Sequence, residues 1–199
     1  MLVEAIVPDD SALRETMIDS TTVFDGVLLH ARRDTVRLPN GSTTIREYVR
    51  HPGAALIVPV FDDGRLLLER QFRYPSQAVF VEFPAGKLDP GETPLATAQR
   101  ELREETGYEA SRWHALGKIH PLLAYSDEII YLFAAEGLTL NESRRDADEF
   151  LELFTMTPAE VAAAIERGDI TDAKTLCAFS LWRMKHGSET GNRISRGDA

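Results

Sequence analysis

The chain of 199 residues contains a single cysteine, Cys177, so no internal disulfide is available and the core alone must hold the fold. The apolar neighbours of Cys177 lead us to expect a packed thiol. Long hydrophobic runs are missing as well. The longest apolar pieces, such as Ala54–Phe61, are strand-sized and fall short of the roughly 20 residues that a membrane-spanning helix needs. Basic residues are few, with 22 Lys and Arg against 32 Asp and Glu and a formal net charge of −10. A broad nucleic-acid surface requires a basic face, so no nucleic-acid partner is expected. A small anionic substrate bridged by metal ions is still compatible with this charge. The opening MLVEAIVPDD has no basic stretch and carries acids early, so it does not read as a signal peptide. These absences predict a protein of the reducing cytoplasm with no membrane partner.

What is present is ordinary globular composition, 43% hydrophobic and 27% charged, in a chain long enough for one domain with a good core. Residues up to Ser20 show no firm pattern, although 12–19 fits a helical turn or two. Segments 22–29 and 34–37 flank a polar bend, and Pro39-Asn40-Gly41 marks a turn before a strand at 43–50. These pieces predict a small antiparallel sheet. Segments 54–61 and 65–72, joined by Asp62-Asp63-Gly64, read as a hairpin of two buried strands. Further strands are expected at 79–83, 113–119, 129–134 and 150–155. Helices are expected at 158–167, capped by Thr157 and closed by Gly168, and at 172–185. In the latter, Ala173, Leu176, Cys177, Ser180, Leu181 and Met184 recur at helical spacing. We expect an N-terminal strand extension over 1–50, a main domain over 51–186 and a disordered polar tail over 187–199.

The most informative stretch is GKLDPGETPLATAQRELREETGY, from Gly86 to Tyr108. Thr93 is suited to cap a helix, Pro94 to its first position and Gly107 to its end. At about 100° per residue, Leu95, Ala98 and Leu102 form a stripe for burial, and Gln99, Arg103 and Thr106 take the outer face. Glu101, Glu104 and Glu105 crowd the neighbouring arc. Carboxylates about 6 Å apart repel by about 2–3 kcal/mol per pair at an effective dielectric near 20. Arg100 relieves part of this through its i,i+4 relation to Glu104. Two readings of the rest are open: a solvated acidic face, or a site for a hard divalent cation, for which oxygen ligands suit Mg²⁺ or Mn²⁺.

The spacing resembles the signature of the Nudix hydrolases at every defined position: Gly86, five residues, Glu92, seven residues, then Arg100-Glu101-Leu102-Arg103-Glu104-Glu105-Thr106-Gly107-Tyr108. The resemblance implies an α/β fold of α+β type, an α/β/α sandwich with a mixed central sheet to which the N-terminal antiparallel sheet is added. It also implies metal-assisted hydrolysis of a nucleoside diphosphate linked to another group. By this resemblance Glu101, Glu104, Glu105 and the carbonyl of Ala85 are metal ligands. Glu105, Glu104 and Arg100 belong to the catalytic group, with Arg100 expected to orient a glutamate. Glu92 either lies in an outer ring of ligands or braces the loop. The acidic run Asp146-Ala147-Asp148-Glu149 would supply a base for the attacking water, with Glu149 first and Asp148 second. Several relatives carry a glutamate where this chain has Ala147.

The runs Glu69–Pro75, Val81–Lys87, Ser126-Asp127-Glu128 and Gly168–Thr175 are similar to the ADP-ribose diphosphatase branch of that family. This likeness implies cleavage of ADP-ribose to AMP and ribose 5-phosphate. Arg73 would hold a phosphate and Glu82 the nucleoside end, with Ser126 and Glu128 also at the substrate. A surface ion pair for Arg73 and a strand-end charge for Glu82 are the plainer alternatives. Leu122-Leu123-Ala124 stands before Tyr125 where such enzymes usually show Ser-Pro-Gly. A broader nucleotide-sugar diphosphatase, acting for example on GDP-mannose, therefore stays open, as does a sensor that binds ADP-ribose without cleaving it. The apolar residues of 20–50 predict a homodimer in which Phe24 stacks on adenine and Arg46 or Arg50 reaches the partner's ligand.

Overall fold

The computed structural model of the protein describes residues 10–141 and 150–191, and it divides into two compact units. One comprises the residues up to His51 together with Leu122–Asp127; the other comprises Pro52–Pro121 and the chain from Glu128 onward.

The first unit is a three-stranded antiparallel sheet in the order β1 (Thr16–Asp25), β2 (His30–Arg37), β3 (Thr43–Arg50). The turn after β2 forms as its residues dictate: Gly41 adopts φ 85°, and the Asn40 side chain accepts from the Ser42 N–H at 3.0 Å. The start of the chain departs from expectation. Only Asp10–Ala12 makes a short helical turn, and a strand begins at Thr16, because the Thr, Ile and Val residues of 16–23 gain most by pairing with β2. The bend also moves, from 30–33 to 26–29. Gly26 lies in it, and the Phe24 ring packs over that glycine, 2.6 Å from where a Cβ would stand. One face of the sheet carries a polar ladder rather than a core. Arg32 donates to Ser20 and Thr22, and Asp34 accepts from Ser20 and from Tyr48 at 3.2 Å.

The second unit is built on seven strands: β4 (Ala54–Val60), β5 (Leu66–Arg73), β6 (Ala78–Glu82), β7 (Ala85–Lys87), β8 (Tyr108–Ile119), β9 (Ile130–Leu140) and β10 (Leu151–Met156). Their order is β10-β5-β4-β9-β8, with β6 on β5 and β7 on β4; β4 and β9 run parallel and the other pairs antiparallel. The expected hairpin of β4 and β5 is paired only at Val60 and Leu66. Beyond that point β7 and β9 take the edges of β4, while β6 and β10 take those of β5.

Strand β4 is buried along its whole length because both faces of the sheet are covered. Ala54, Leu56, Val58 and Val60 face a cluster with α2 (Pro158–Arg167) and α3 (Ala173–Gly191), through Val161, Ala164, Ala178, Phe179 and Trp182. Ala55 and Ile57 face Ala98 and Leu102 of α1 (Pro94–Thr106). This is an α/β/α sandwich with a mixed sheet. Among the described residues no helix is long and apolar enough to cross a membrane.

Helix α3 differs from its sequence reading in two ways. Its buried side is Thr175, Ala178, Phe179 and Trp182, so the expected stripe is rotated, Cys177 is exposed rather than packed, and Met184 faces solvent. Phe179 and Trp182, stacked at 6.0 Å, bury far more apolar area than Leu176 or Met184 would, and they win the core face. The helix also continues through Gly187 to Gly191, into the segment expected to be disordered. An interior glycine costs about 1 kcal/mol without ending a helix; residues 192–199 lie outside the described part.

Candidate active site

The loop and first turns of α1 form as the motif predicts. Thr93 accepts from the Ala96 N–H at 3.3 Å, Pro94 occupies the first position, and Gly107 closes the helix at φ 75° with its N–H on the Arg103 carbonyl. The buried side, however, is Thr97, Ala98, Glu101, Leu102, Glu105 and Thr106. Leu95 is therefore displaced to the surface, and Thr106, expected on the outer face, points inward. The Thr106 hydroxyl donates to the Leu102 carbonyl and accepts from the Tyr108 N–H at 3.1 Å, which satisfies it internally.

Two carboxylates thus enter the interior, Glu101 and Glu105, and both meet the segment Ala85–Gly86 of β7. The Glu105 carboxylate accepts the Ala85 N–H at 3.1 Å. The Glu101 carboxylate occupies the space where a Cβ of Gly86 would stand, so any other residue at 86 would push that carboxylate out of its place. The loop backbone is pinned from the opposite side as well, because the Ile57 N–H of β4 donates to the Pro84 carbonyl at 2.9 Å.

Arg100 is the hub of this site. Its Nε and Nη2 grip the Glu92 carboxylate at 3.0 Å each, Nη1 donates to Glu101 at 2.7 Å and Glu104 at 3.0 Å, and Nη2 also reaches the Lys87 carbonyl at 3.0 Å. All five N–H donors of the guanidinium are engaged within the protein. Arg100 therefore holds glutamates in place and has no donor left for a substrate. Glu92 accepts additionally from the Thr97 hydroxyl at 2.8 Å and the Asp89 N–H at 3.3 Å, so it ties the loop to the helix. The Arg100 guanidinium, aided by Thr97 and Asp89, draws the Glu92 carboxyl down to about 2 against a smaller upward push from burial.

Among the described residues no three acidic, histidine or cysteine side chains converge in a geometry ready for a metal ion. Glu101 and Glu104 turn to Arg100, and Glu105 turns to the Ala85 N–H. The donors nevertheless suit a hard divalent cation: they are oxygens only, two of them buried beside a loop whose glycine admits close approach.

Arg73 and Glu82 lie together on β5 and β6. Arg73 forks onto Glu82 through Nε at 2.8 Å and Nη2 at 2.7 Å, and Lys174 of α3 also donates to Glu82. The Glu82 carboxylate is buried and accepts three hydrogen bonds from these two cationic side chains. Lys174 carries no sequence signal of its own for this role. Nothing in its spacing ties it to a strand some ninety positions earlier, although the run 168–175 that contains it carries part of the family likeness.

The other expected substrate residues fall mainly in the first unit. Phe24 pairs in register with Ala31, which pairs with Val49, and Tyr125 lies beside them. Tyr125 accepts the Val49 N–H at 2.8 Å. Arg50 is bound to Asp127 at 2.8 Å, next to Ser126, which bridges to Val49. Glu128 opens the following segment of the second unit. Asp146, Asp148 and Glu149 lie outside the described residues.

Fold and site define a hydrolase built around one glutamate-rich helix. Residues 50–179 match the NUDIX domain, and residues 15–49 match the nucleoside diphosphate sugar hydrolase N-terminal domain. The chain belongs to the Nudix hydrolase family, whose members use divalent metal ions. It is 38% identical to the ADP-ribose pyrophosphatase of Bacillus subtilis, over 87% of this chain and 95% of that protein. It is 40% identical to the methanol dehydrogenase activator of Bacillus methanolicus, over 86% and 94% of the two chains. A crystal structure of an ADP compounds hydrolase superposes with a TM-score of 0.81 at 26% identity, covering 88% of this chain and 96% of the other.

Proposed function

We propose that the protein hydrolyses the diphosphate bond of ADP-ribose, giving AMP and ribose 5-phosphate, with Mg²⁺ as cofactor and Mn²⁺ as a substitute. The observation that carries this reading is the near full-length likeness to the ADP-ribose pyrophosphatase of Bacillus subtilis, joined to a glutamate helix folded onto Ala85–Gly86. Glu101, Glu104, Glu105 and the Ala85 carbonyl would hold the cation, which when bound supplies the charge that neutralises the diphosphate and polarises water. Arg100 keeps the glutamates oriented. Arg73 offers its guanidinium to a phosphate, and Glu149 takes the proton of the attacking water. Ser126 and Glu128 would also contact the substrate. Leu122-Leu123-Ala124 before Tyr125 favours a second reading, a broader nucleotide-sugar diphosphatase. Both are tested by assaying purified protein with Mg²⁺ against ADP-ribose, GDP-mannose, NADH and diadenosine polyphosphates. The expected outcome is a kcat/KM for ADP-ribose at least about tenfold above the others, lost on addition of EDTA. Tight binding of ADP-ribose without cleavage would make the protein a sensor and overturn the proposal.

The same reading includes a cytoplasmic homodimer that binds neither nucleic acid nor membrane. Its support is the first unit, in which Val36 is the only buried hydrophobic residue among those described, while Phe24, Val23, Leu29 and Ile45 are about half exposed. A three-stranded sheet without a buried face is marginal by itself, and pairing about a two-fold axis would cover it. Phe24 and Arg50 of one copy would then serve the other copy's ligand, Phe24 by stacking on adenine. Sedimentation at micromolar concentration should give a species of two 22.2 kDa chains. A fully active species of one chain would exclude the dimer.

A further inference from the structure

The contact between α3 and the end of β6 has no part in the family motif, yet it bears on the phosphate-binding arginine. Two side chains meet the buried Glu82 through three nitrogen donors. Arg73 Nε takes one carboxylate oxygen at 2.8 Å, and Arg73 Nη2, at 2.7 Å, shares the other with Lys174 Nζ. Lys174 is itself held by Asp172 at 2.9 Å, and Asp172 caps α3 by accepting the Thr175 N–H at 3.0 Å. One residue further, the buried Thr175 hydroxyl accepts the Phe83 N–H at 3.0 Å. The first turn of α3 therefore grips the end of β6 and the residue after it, one through the side chain of Glu82 and one through the backbone of Phe83.

The charges explain why a lysine stands there. Burial alone would push the Glu82 carboxyl up, but Arg73 and Lys174 outweigh it and hold the group ionised. Arg73 also feels Glu69 and Asp172. Without Lys174, three carboxylates would face one guanidinium and draw it inward. With Lys174 on Glu82, the carboxylate is fixed from two sides, and Arg73 needs only Nε and Nη2 to satisfy it. Nη1 makes no hydrogen bond within the described protein, and the Arg73 side chain is 42% exposed.

We propose that Lys174 is a positioning residue for diphosphate recognition: by locking the Glu82 carboxylate it fixes the Arg73 guanidinium with Nη1 left for a phosphate oxygen. The inference rests on the reading of Arg73 as a phosphate ligand. Lys174 itself does not touch the substrate. Its effect belongs to binding, so it appears in KM and in the affinity for nucleotide rather than in turnover.

The test is a double-mutant cycle on the full chain, with Lys174→Met, Arg73→Gln and the pair, assayed on ADP-ribose with Mg²⁺. ADP-ribose binding is measured in parallel in EDTA, where no turnover occurs. Arg73→Gln should raise KM and Kd about tenfold, Lys174→Met about fivefold with kcat within about twofold, and the pair no more than Arg73→Gln alone. Lys174→Arg, which keeps the charge, should return KM to within about twofold of the original protein. An unchanged KM in Arg73→Gln would remove the phosphate reading itself. A raised KM in Arg73→Gln with an unchanged KM in Lys174→Met would overturn this inference alone. Multiplying effects in the pair, or a fall in kcat with KM unmoved, would equally overturn it, because Lys174 would then act apart from Arg73. If Lys174→Met does not fold, Lys174→Gln enters the cycle in its place under the same criteria.

Discussion

Glu105→Gln should leave the fold intact and lower kcat by more than about 100-fold at saturating Mg²⁺, beyond the 10–100-fold typical of groups that only surround metal ligands. The substitution keeps shape and volume and removes only the negative charge. In the structure Glu105 is buried and accepts the Ala85 N–H at 3.1 Å, a bond that the glutamine carbonyl oxygen can also accept. The variant therefore keeps its link to the loop. It also loses one of three carboxylates crowded on a short helix, so its Tm in EDTA should equal or exceed that of the original protein. In Mg²⁺ the original protein should gain Tm and the variant much less, since a ligand that binds only the folded state stabilises it. Activity within a fewfold of the original protein would refute the role of Glu105.

Arg100→Met should destabilise the protein by about 3 kcal/mol, with activity falling in parallel. The side chain donates all five of its hydrogen bonds to Glu92, Glu101, Glu104 and the Lys87 carbonyl, so its removal leaves three carboxylates facing one another. Arg100→Lys should recover only part of the loss, because one ammonium cannot span acceptors on both loop and helix. The pH dependence follows from Glu92, whose carboxyl lies at about 2 when folded and near 4.5 otherwise. A depressed carboxyl contributes stability that is present above the unfolded value and disappears as pH falls through the folded one. The gap in Tm between the original protein and Arg100→Met should accordingly be widest above pH 5 and shrink between about 4.5 and 2. A gap that stays constant over that range would place the stabilisation elsewhere.

The sequence by itself determined the chemistry-bearing helix almost to the residue. Thr93, Pro94 and Gly107 are local instructions, a cap, a first position and a left-handed stop, and they act whatever the rest of the chain does. The glutamate spacing and the turn at Asn40-Gly41 are local in the same sense, as are strand β3 and helix α2, whose bounds match the expected ones. Periodicity was weaker at deciding which face is buried. Leu95 and Cys177 have apolar sequence neighbours but end outside, because Glu101 and Glu105 are drawn to a loop backbone and Phe179 with Trp182 fill the core.

Only the tertiary structure decided how distant segments share one residue. Glu82 reads in sequence as a nucleoside acceptor or a strand-end charge, and in the fold it is the buried meeting point of Arg73 and Lys174, where β6 and α3 touch. The separation of β4 from β5 after a single pair is of the same kind, since the edges of β4 are claimed by β7 and β9, which a hairpin rule cannot see. The physical reason is common to these cases. Caps, turns and motif spacing are set by bonds within a few residues, whereas burial and charge pairing go to whichever distant partner offers the larger gain once the chain has folded.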